Sequence, residues 1–178
     1  MRKFPLYLLV PLAAVGLILL FTFGLNRSNP DALPTTLKGR PAPVLELTAL
    51  GDLPLVVDSD LRRAEVKLVN FWASWCAPCR VEHANLQALA ESGVPVFGVN
   101  YKDEAANAAG FLAELGNPYQ AVGQDKVGRQ AINWGVYGVP ETFVIDQTGK
   151  IVLRFPGPIT DRVLRETILP AIAAARAE

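Results

Sequence analysis

The chain contains two cysteines, Cys76 and Cys79, and they stand three positions apart between two segments of opposite character. The preceding segment, residues 66–73, is apolar and aromatic, as expected of a strand that is buried on both faces. The following segment, residues 77–91, has apolar residues at helical spacing and stops before Gly93. A cysteine pair at such a junction predicts an α/β fold in which a buried strand delivers the pair to the start of a helix.

The position of Cys76 at a helix N-terminus favours redox chemistry. Unpaired N–H groups and the helix dipole stabilise a thiolate there, so we expect its pKa to lie below the value of about 8.5 for a free cysteine. Cys79, one turn further, is expected to be the better buried thiol and to resolve the mixed disulfide that Cys76 forms with a substrate. A purely structural disulfide would close a tiny loop and add little stability. A metal site needs about four ligands, and His83 is the one histidine of the chain.

The N-terminal region predicts a membrane anchor. Residues 4–25 carry no charged side chain, and a helix of about 20 apolar residues spans a bilayer. No small-residue cleavage pattern ends the run, so we predict an uncleaved anchor over residues 1–25 rather than a signal peptide. Arg2 and Lys3 precede it and only Arg27 follows closely, which predicts that the remainder lies on the outer side. Residues 26–43 are rich in proline, which predicts a linker. Residues 44–178 are predicted to form one domain.

Charge argues against a nucleic-acid partner. The whole chain has 17 basic and 17 acidic side chains. Removing Arg2, Lys3 and Arg27 leaves 14 basic against 17 acidic residues in the remainder, a net charge of −3. Binding to phosphates needs clustered lysine and arginine instead.

The remaining patterns predict a mixed sheet between helices. Parallel crossovers are expected in the first part, and residues 146–149 form the turn of an antiparallel hairpin. Pro170 falls inside the final helical pattern and is expected to bend or end it. The predicted strands are 44–50, 53–57, 66–73, 94–101, 142–145 and 151–155, and the predicted helices are 77–91, 103–115, 126–134 and 161–175.

Two segments resemble the landmarks of thioredoxin-like proteins. Residues 68–79 (Leu-Val-Asn-Phe-Trp-Ala-Ser-Trp-Cys-Ala-Pro-Cys) resemble the active-site strand and helix, and residues 138–146 (Gly-Val-Pro-Glu-Thr-Phe-Val-Ile-Asp) resemble the loop that bears a cis-proline. The resemblance implies a thioredoxin-like sandwich in which the Val139–Pro140 bond is cis and packs against the cysteine pair. An extended substrate segment would then pair beside Cys76 as an added strand, in contact with Trp75, Val139 and Pro140.

A narrower resemblance covers residues 28–172 and points to the CcmG family, also called DsbE. It implies a domain held in the bacterial inner membrane that faces the periplasm, has no cofactor, and keeps the cysteines of apocytochrome c reduced, directly or through a CcmH-type partner. A membrane electron carrier of the CcdA or DsbD type would reduce it in turn. The motifs are Asn29-Pro-Asp-Ala-Leu-Pro34, Gly39-Arg-Pro-Ala-Pro43, Cys76-x-x-Cys79-x-x-Glu82, Val99-Asn-Tyr-Lys-Asp103 and Gly135-Val-Tyr-Gly-Val-Pro-Glu-Thr142.

Two alternatives stay open at this point. One is a general extracytoplasmic reductase of the ResA or TlpA type, and the other is a non-enzymatic thioredoxin-fold module that binds copper or client proteins. The prediction that the protein reduces its clients rests on the resemblance alone. A location outside the cytoplasm would otherwise favour a protein that oxidises them.

The chain departs from thioredoxin at the buried acid on the strand before the cysteines, where it has Asn70. An amide accepts no proton at ordinary pH, yet resolution by Cys79 needs a proton acceptor. Glu82 lies three residues after Cys79 on the same helix face, and Glu141 follows the expected cis-proline. Burial would raise the pKa of either carboxyl towards neutrality. Glu82 and Glu141 are therefore both candidates for the proton acceptor of Cys79. The alternative for each is an ordinary solvated acid at the surface.

Overall fold

The computed structural model describes residues 9–25 and 37–177, and the chain divides into two compact units, Met1–Leu33 and Pro34–Glu178. In the first unit, helix α1 covers Leu9–Leu25, and every residue from Val10 to Thr22 is exposed. The first five residues of the predicted 4–25 span, and residues 26–36 of the predicted linker, lie outside the described residues. None of the helices described in either unit has both the length and the apolar character needed to cross a membrane.

Residues 37–177 of the second unit build one six-stranded mixed sheet with helices on both faces. Its strands are β1 (Thr48–Ala49), β2 (Lys67–Trp72), β3 (Val96–Tyr101), β4 (Ala121–Asp125), β5 (Glu141–Ile145) and β6 (Ile151–Pro156). Its helices are α2 (Asp58–Leu61), α3 (Ala77–Glu91), α4 (Ala105–Leu115), α5 (Arg129–Asn133), α6 (Asp161–Val163) and α7 (Leu169–Ala177), with a π-helical turn (Leu164–Ile168) between the last two.

The strand order β1-β4-β3-β2-β5-β6 confirms the predicted mixed sheet. Strands β2, β3 and β4 are parallel and are joined by the crossover helices α3 and α4. Strand β5 runs antiparallel to β2 and forms a hairpin with β6. Strand β2, which leads to the cysteines, therefore lies in the interior of the sheet with a neighbour on each side.

The N-terminal part of the domain differs from the prediction. The expected strand pair 44–50 and 53–57 is wrong, because only Thr48–Ala49 is a strand and its partner is β4, which the sequence patterns did not indicate. The carbonyl of Pro54 accepts a hydrogen bond from Val122 of β4 at 2.8 Å. Pro54 has no N–H to donate in return, so the contact does not extend into a ladder.

Pro170 does not end the final helix, which continues from 161 to 177. Just before it, the N–H of Leu169 donates to the carbonyl of Leu164, five residues back. A π-helical turn is one of the ways in which a helix absorbs a residue that cannot complete the regular pattern.

Side chains of β2 alternate between two buried cores, as the strand period requires. Leu68 and Trp72 belong to a core that contains helix α3 and both cysteines. Val69 and Phe71 belong to the core on the opposite face, where Phe71 packs against Trp134. The cysteine pair therefore lies on one defined face of the sheet.

Candidate active site

The cysteine pair lies at the start of α3, joined by a disulfide with the two Cα atoms 5.3 Å apart. Cys76 is the N-cap residue, and its Sγ accepts the N–H of Cys79 at 3.1 Å. In this oxidised form both side chains are buried, with exposed fractions of 4% for Cys76 and 2% for Cys79. The same first-turn N–H can stabilise a thiolate on Cys76 after reduction.

The bond between Val139 and Pro140 is cis, as predicted. Pro140 is buried, and Val139 packs against the core that contains both cysteines. The carbonyl of Pro140 accepts a hydrogen bond from the N–H of Gly157 at 2.9 Å. The cis-proline loop is thus held by packing on the cysteine side and by a hydrogen bond from Gly157, the residue that follows β6.

A polar turn fixes the chain just before Cys76. The carboxylate of Asp103 accepts the N–H of Ser74 at 2.6 Å and its hydroxyl at 2.7 Å. The indole N–H of Trp75 donates to the carbonyl of Lys102 at 3.1 Å, while 59% of the side chain stays exposed. Trp75 therefore presents a fixed aromatic surface beside the cysteine.

Glu82 is fully buried one turn after Cys79 on α3. Its Oε1 accepts the side-chain N–H of Asn70 at 2.8 Å, and its Oε2 accepts the backbone N–H of Ile159 at 3.0 Å. Burial raises the pKa of Glu82 to about 7, although the hydrogen bonds from Ile159 and Asn70 pull it down in part. A carboxyl with this pKa can gain or lose a proton at neutral pH.

Asn70 connects Glu82 to two further residues. Its amide nitrogen also donates to the Thr142 hydroxyl at 3.0 Å, and its Oδ1 accepts the Tyr119 hydroxyl at 2.8 Å. Burial raises the pKa of Tyr119 well above its ordinary value, so the phenol keeps its proton and remains a donor. A donor at Oδ1 fixes the orientation of the amide, with its nitrogen towards Glu82.

Gly98 on β3 leaves the space in which Tyr119 lies. A Cβ atom at position 98 would come within 2.9 Å of the Tyr119 ring and 3.0 Å of the Trp72 indole nitrogen. The rings of Tyr119 and Trp72 stack with their centroids 5.5 Å apart. The glycine therefore permits the ring position from which the tyrosine hydroxyl reaches Asn70.

Glu141 lies on the opposite face of the sheet from Glu82. In the register of β2 and β5, Glu141 stands opposite Phe71, and the next residue, Thr142, stands opposite Asn70. Neighbouring positions of a strand point to opposite faces, so Glu141 shares the face of Phe71. The structure brings Glu82, and not Glu141, to the face that holds the cysteines.

Glu141 is fully buried and forms an ion pair with Arg154 of β6, whose side chain is 9% exposed. Burial raises the pKa of Glu141, and the adjacent guanidinium lowers it again in part. The pair is part of the core beneath the cis-proline loop.

Sequence reasoning missed Tyr119 and Arg154. No pattern indicates that Tyr119 reaches Asn70, since Tyr119 precedes β4 and reaches past the intervening strand β3 to Asn70 on β2. Arg154 could have been noticed as a charge within an otherwise apolar strand. His83, the one histidine of the chain, is buried, and its Nε2 lies 2.9 Å from the carbonyl oxygen of Gly116. Burial lowers its pKa, which agrees with a structural role.

Comparison with known proteins gives one consistent result. The model of the Redoxin family matches residues 37–168. Thiol:disulfide interchange protein HelX of Rhodobacter capsulatus is 47% identical over 95% of this chain and 96% of its own length, and a DsbE homologue of Paracoccus denitrificans is 45% identical over 99% of both. The crystal structure of a DsbE-type protein from Chlorobium tepidum is 31% identical with a TM-score of 0.62, covering 76% of this chain and 94% of that one.

Proposed function

Because the chain belongs to the Redoxin family and, within it, to the thiol:disulfide interchange proteins, we propose a specific function. We propose that it is a membrane-anchored periplasmic reductase of cytochrome c maturation. The observation that carries the reductase mechanism is the buried Glu82, one turn from Cys79 and with a pKa of about 7. The clients would be apocytochrome c or a CcmH-type thiol protein, as the sequence resemblance implies.

The reaction transfers two electrons from the dithiol to a client disulfide. The Cys76 thiolate attacks one client sulfur, forms a mixed disulfide and releases the other client sulfur as a thiolate. The Cys79 thiol then passes its proton to the Glu82 carboxylate and attacks the sulfur of Cys76. This step releases the second client thiolate and leaves the Cys76–Cys79 disulfide, which a membrane electron carrier of the CcdA or DsbD type reduces again.

The client segment would lie between Trp75 and the cis-proline loop. Trp75 is 59% exposed next to Cys76, and Tyr137 in the loop is 56% exposed. Exposed aromatic side chains on a fixed backbone are typical of binding surfaces. Val139 and Pro140 would supply the backbone edge along which an extended segment pairs.

The anchor would be formed by residues 1–25. Residues 4–25 carry no charge, and the large apolar side chains described in α1 are more than half exposed, from Val15 at 56% to Val10 at 74%. Exposed apolar side chains around a whole helix are typical of a segment that contacts lipid. The predicted orientation places the domain on the periplasmic side of the inner membrane. In spheroplasts, added protease should digest the domain, and a mature protein that lacks residues 1–27 would contradict the anchor.

One experiment tests the client assignment. The reduced full-length protein is mixed with an oxidised peptide that carries a c-type haem-binding Cys-x-x-Cys-His segment, and separately with oxidised insulin. We expect kcat/KM to be at least about tenfold higher for the haem-binding peptide, a difference of about 1.4 kcal/mol in transition-state binding. A Cys76→Ser variant is the control and should be inactive on both. Equal rates on the two substrates would favour a general reductase instead.

A further inference from the structure

A buried cation lies behind the loop that carries the cis-proline. Arg154 is on β6, directly opposite Phe143 of β5, and its side chain is 9% exposed. A buried arginine requires partners for its charge and its several donors. The partners of Arg154 all belong to residues 135–141, the segment that leads into and out of the Val139–Pro140 bond.

The guanidinium contacts this segment at its beginning, middle and end. One terminal nitrogen donates to the carbonyl oxygen of Gly135 at 2.6 Å. The guanidinium carbon lies 5.1 Å from the centre of the Tyr137 ring. The Nε donates to the Glu141 carboxylate. One planar group thus connects a backbone carbonyl, an aromatic face and a buried carboxylate.

These three contacts need the shape of arginine as well as its charge. A guanidinium directs several N–H groups in one plane and stacks on aromatic rings, whereas a lysine ammonium is a single point charge. Gly135 also has a φ of +68°, a conformation that glycine adopts readily. Because glycine loses more backbone freedom on folding than other residues, the donor from Arg154 to the carbonyl of Gly135 helps to fix the start of the segment.

The geometry points to Arg154 as a positioning residue that holds residues 135–140 in the conformation that receives an extended client segment beside Cys76. The contacts of Arg154 are with Gly135, Tyr137 and Glu141, and none of them is with a cysteine. Arg154 therefore acts through the loop. This inference rests on the proposed docking of a client along the cis-proline loop. Its expected signature is weaker binding of an extended substrate with unchanged thiol chemistry.

The test compares two substrates of different size. Arg154→Lys keeps a positive charge next to Glu141 but loses the planar set of donors. The full-length variant is assayed with an oxidised haem-binding peptide, which needs the loop, and with hydroxyethyl disulfide, which is too small to pair along it. We expect KM for the peptide to rise about tenfold, with kcat for the peptide and the rate with hydroxyethyl disulfide both unchanged. Arg165→Lys, an exposed arginine of the final helix, is the matched control and should behave as wild type.

A second variant covers the case in which Arg154→Lys folds poorly. The double change Arg154→Gln with Glu141→Gln removes both charges together and leaves no unpaired buried ion. It should show the same split between the two substrates, with a circular dichroism spectrum like that of the wild type. A peptide KM equal to the wild-type value in either folded variant would overturn the role of Arg154 and leave the proposed function intact. A wild-type protein that reduces hydroxyethyl disulfide but no peptide would overturn both.

Discussion

The side-chain nitrogen of Asn70 lies 2.8 Å from Oε1 of Glu82, so an amide donor on β2 holds the buried acid of α3. Burial disfavours the ionised carboxylate, and the hydrogen bonds from the Ile159 N–H and the Asn70 amide favour it. These effects together leave the pKa of Glu82 at about 7. Asn70 is therefore the partner of the proposed proton acceptor, in the place where thioredoxin has the acid itself.

Replacing the acid should slow the second half of the reaction. In Glu82→Gln we expect release of the mixed disulfide to slow by about 10²–10⁴-fold, the usual loss for a missing general base, and its pH dependence near neutrality to disappear. Stopped-flow reduction of a peptide disulfide from pH 5 to 9 measures both. Glu91→Gln, an exposed acid at the end of the same helix, should keep the wild-type rate. An unchanged rate in Glu82→Gln would assign the proton to water or another group.

The buried carboxyl should also make the stability of the protein depend on pH. The folded pKa of Glu82 is raised from 4.5 to about 7, so between these values the folded state binds a proton that the unfolded state has released. Stability must then fall as pH rises through this window. The full contribution of Glu82 is about 3 kcal/mol. Urea unfolding of the oxidised protein at pH 5 and pH 8 should show this loss, and Glu82→Gln should remove most of it.

An acid in place of Asn70 should shift the titration upwards. Asn70→Asp removes the donor to Glu82 and introduces a second carboxyl, and two adjacent carboxylates resist simultaneous ionisation. We expect one of the two coupled pKa values to exceed the value of about 7 in the wild type. Carbon-13 NMR of the labelled carboxyl groups across pH 3–10 measures both steps. If both carboxyl groups titrated below pH 6, the expected rise in pKa would be contradicted, and the Asn70 amide would not control the titration of Glu82.

The two thiols should differ in acidity and in the intermediates that they trap. Cys76 accepts a first-turn N–H in the structure, so in Cys79→Ser its alkylation should show a midpoint below about 8.5. Cys79→Ser should accumulate mixed disulfides with clients, which non-reducing gels detect. Cys76→Ser should accumulate none, because we propose Cys79 as the thiol that resolves the mixed disulfide. A midpoint at or above the free-cysteine value would remove the argument from the helix N-terminus.

Glu141 should behave as a structural residue rather than a proton acceptor. Glu141→Gln leaves the charge of Arg154 buried without its counter-ion, and breaking a buried pair in this way costs about 3–5 kcal/mol. Urea unfolding should show that loss. The pH midpoint of mixed-disulfide release, in contrast, should remain that of the wild type. A shifted midpoint with unchanged stability would reverse the assignment of the two acids.

The fold was predictable where the sequence shows strong periodicity or a known motif. Strand β2, helix α3 and the β5–β6 hairpin follow their predicted ranges to within two residues. Strand β4 was missed because its sequence, Ala-Val-Gly-Gln-Asp, has only two apolar side chains and ends in buried polar residues. The strand predicted over 44–50 was too long, because only Thr48 and Ala49 pair with β4.

The site was predictable in its cysteines and its cis-proline, but the choice between the two acids was not. Glu82 and Glu141 are both buried, so neither has the solvated surface position that the sequence left open. The face that Glu141 occupies depends on the pairing of Asn70 with Thr142 across β2 and β5. A shift of one residue in that register would move Glu141 to the face of Glu82, and a single sequence contains no direct information on the pairing of distant strands.

The absence of a side chain at Gly98 constrains how this sequence can diverge. Any larger residue there would occupy the position of the Tyr119 ring, and the displaced tyrosine would no longer orient the amide of Asn70. We therefore expect positions 98 and 119 to change together, although 21 positions separate them in the chain. A side chain at position 98 would force the ring of Tyr119 to shift or to be replaced, and the amide that holds the buried acid would then need another donor.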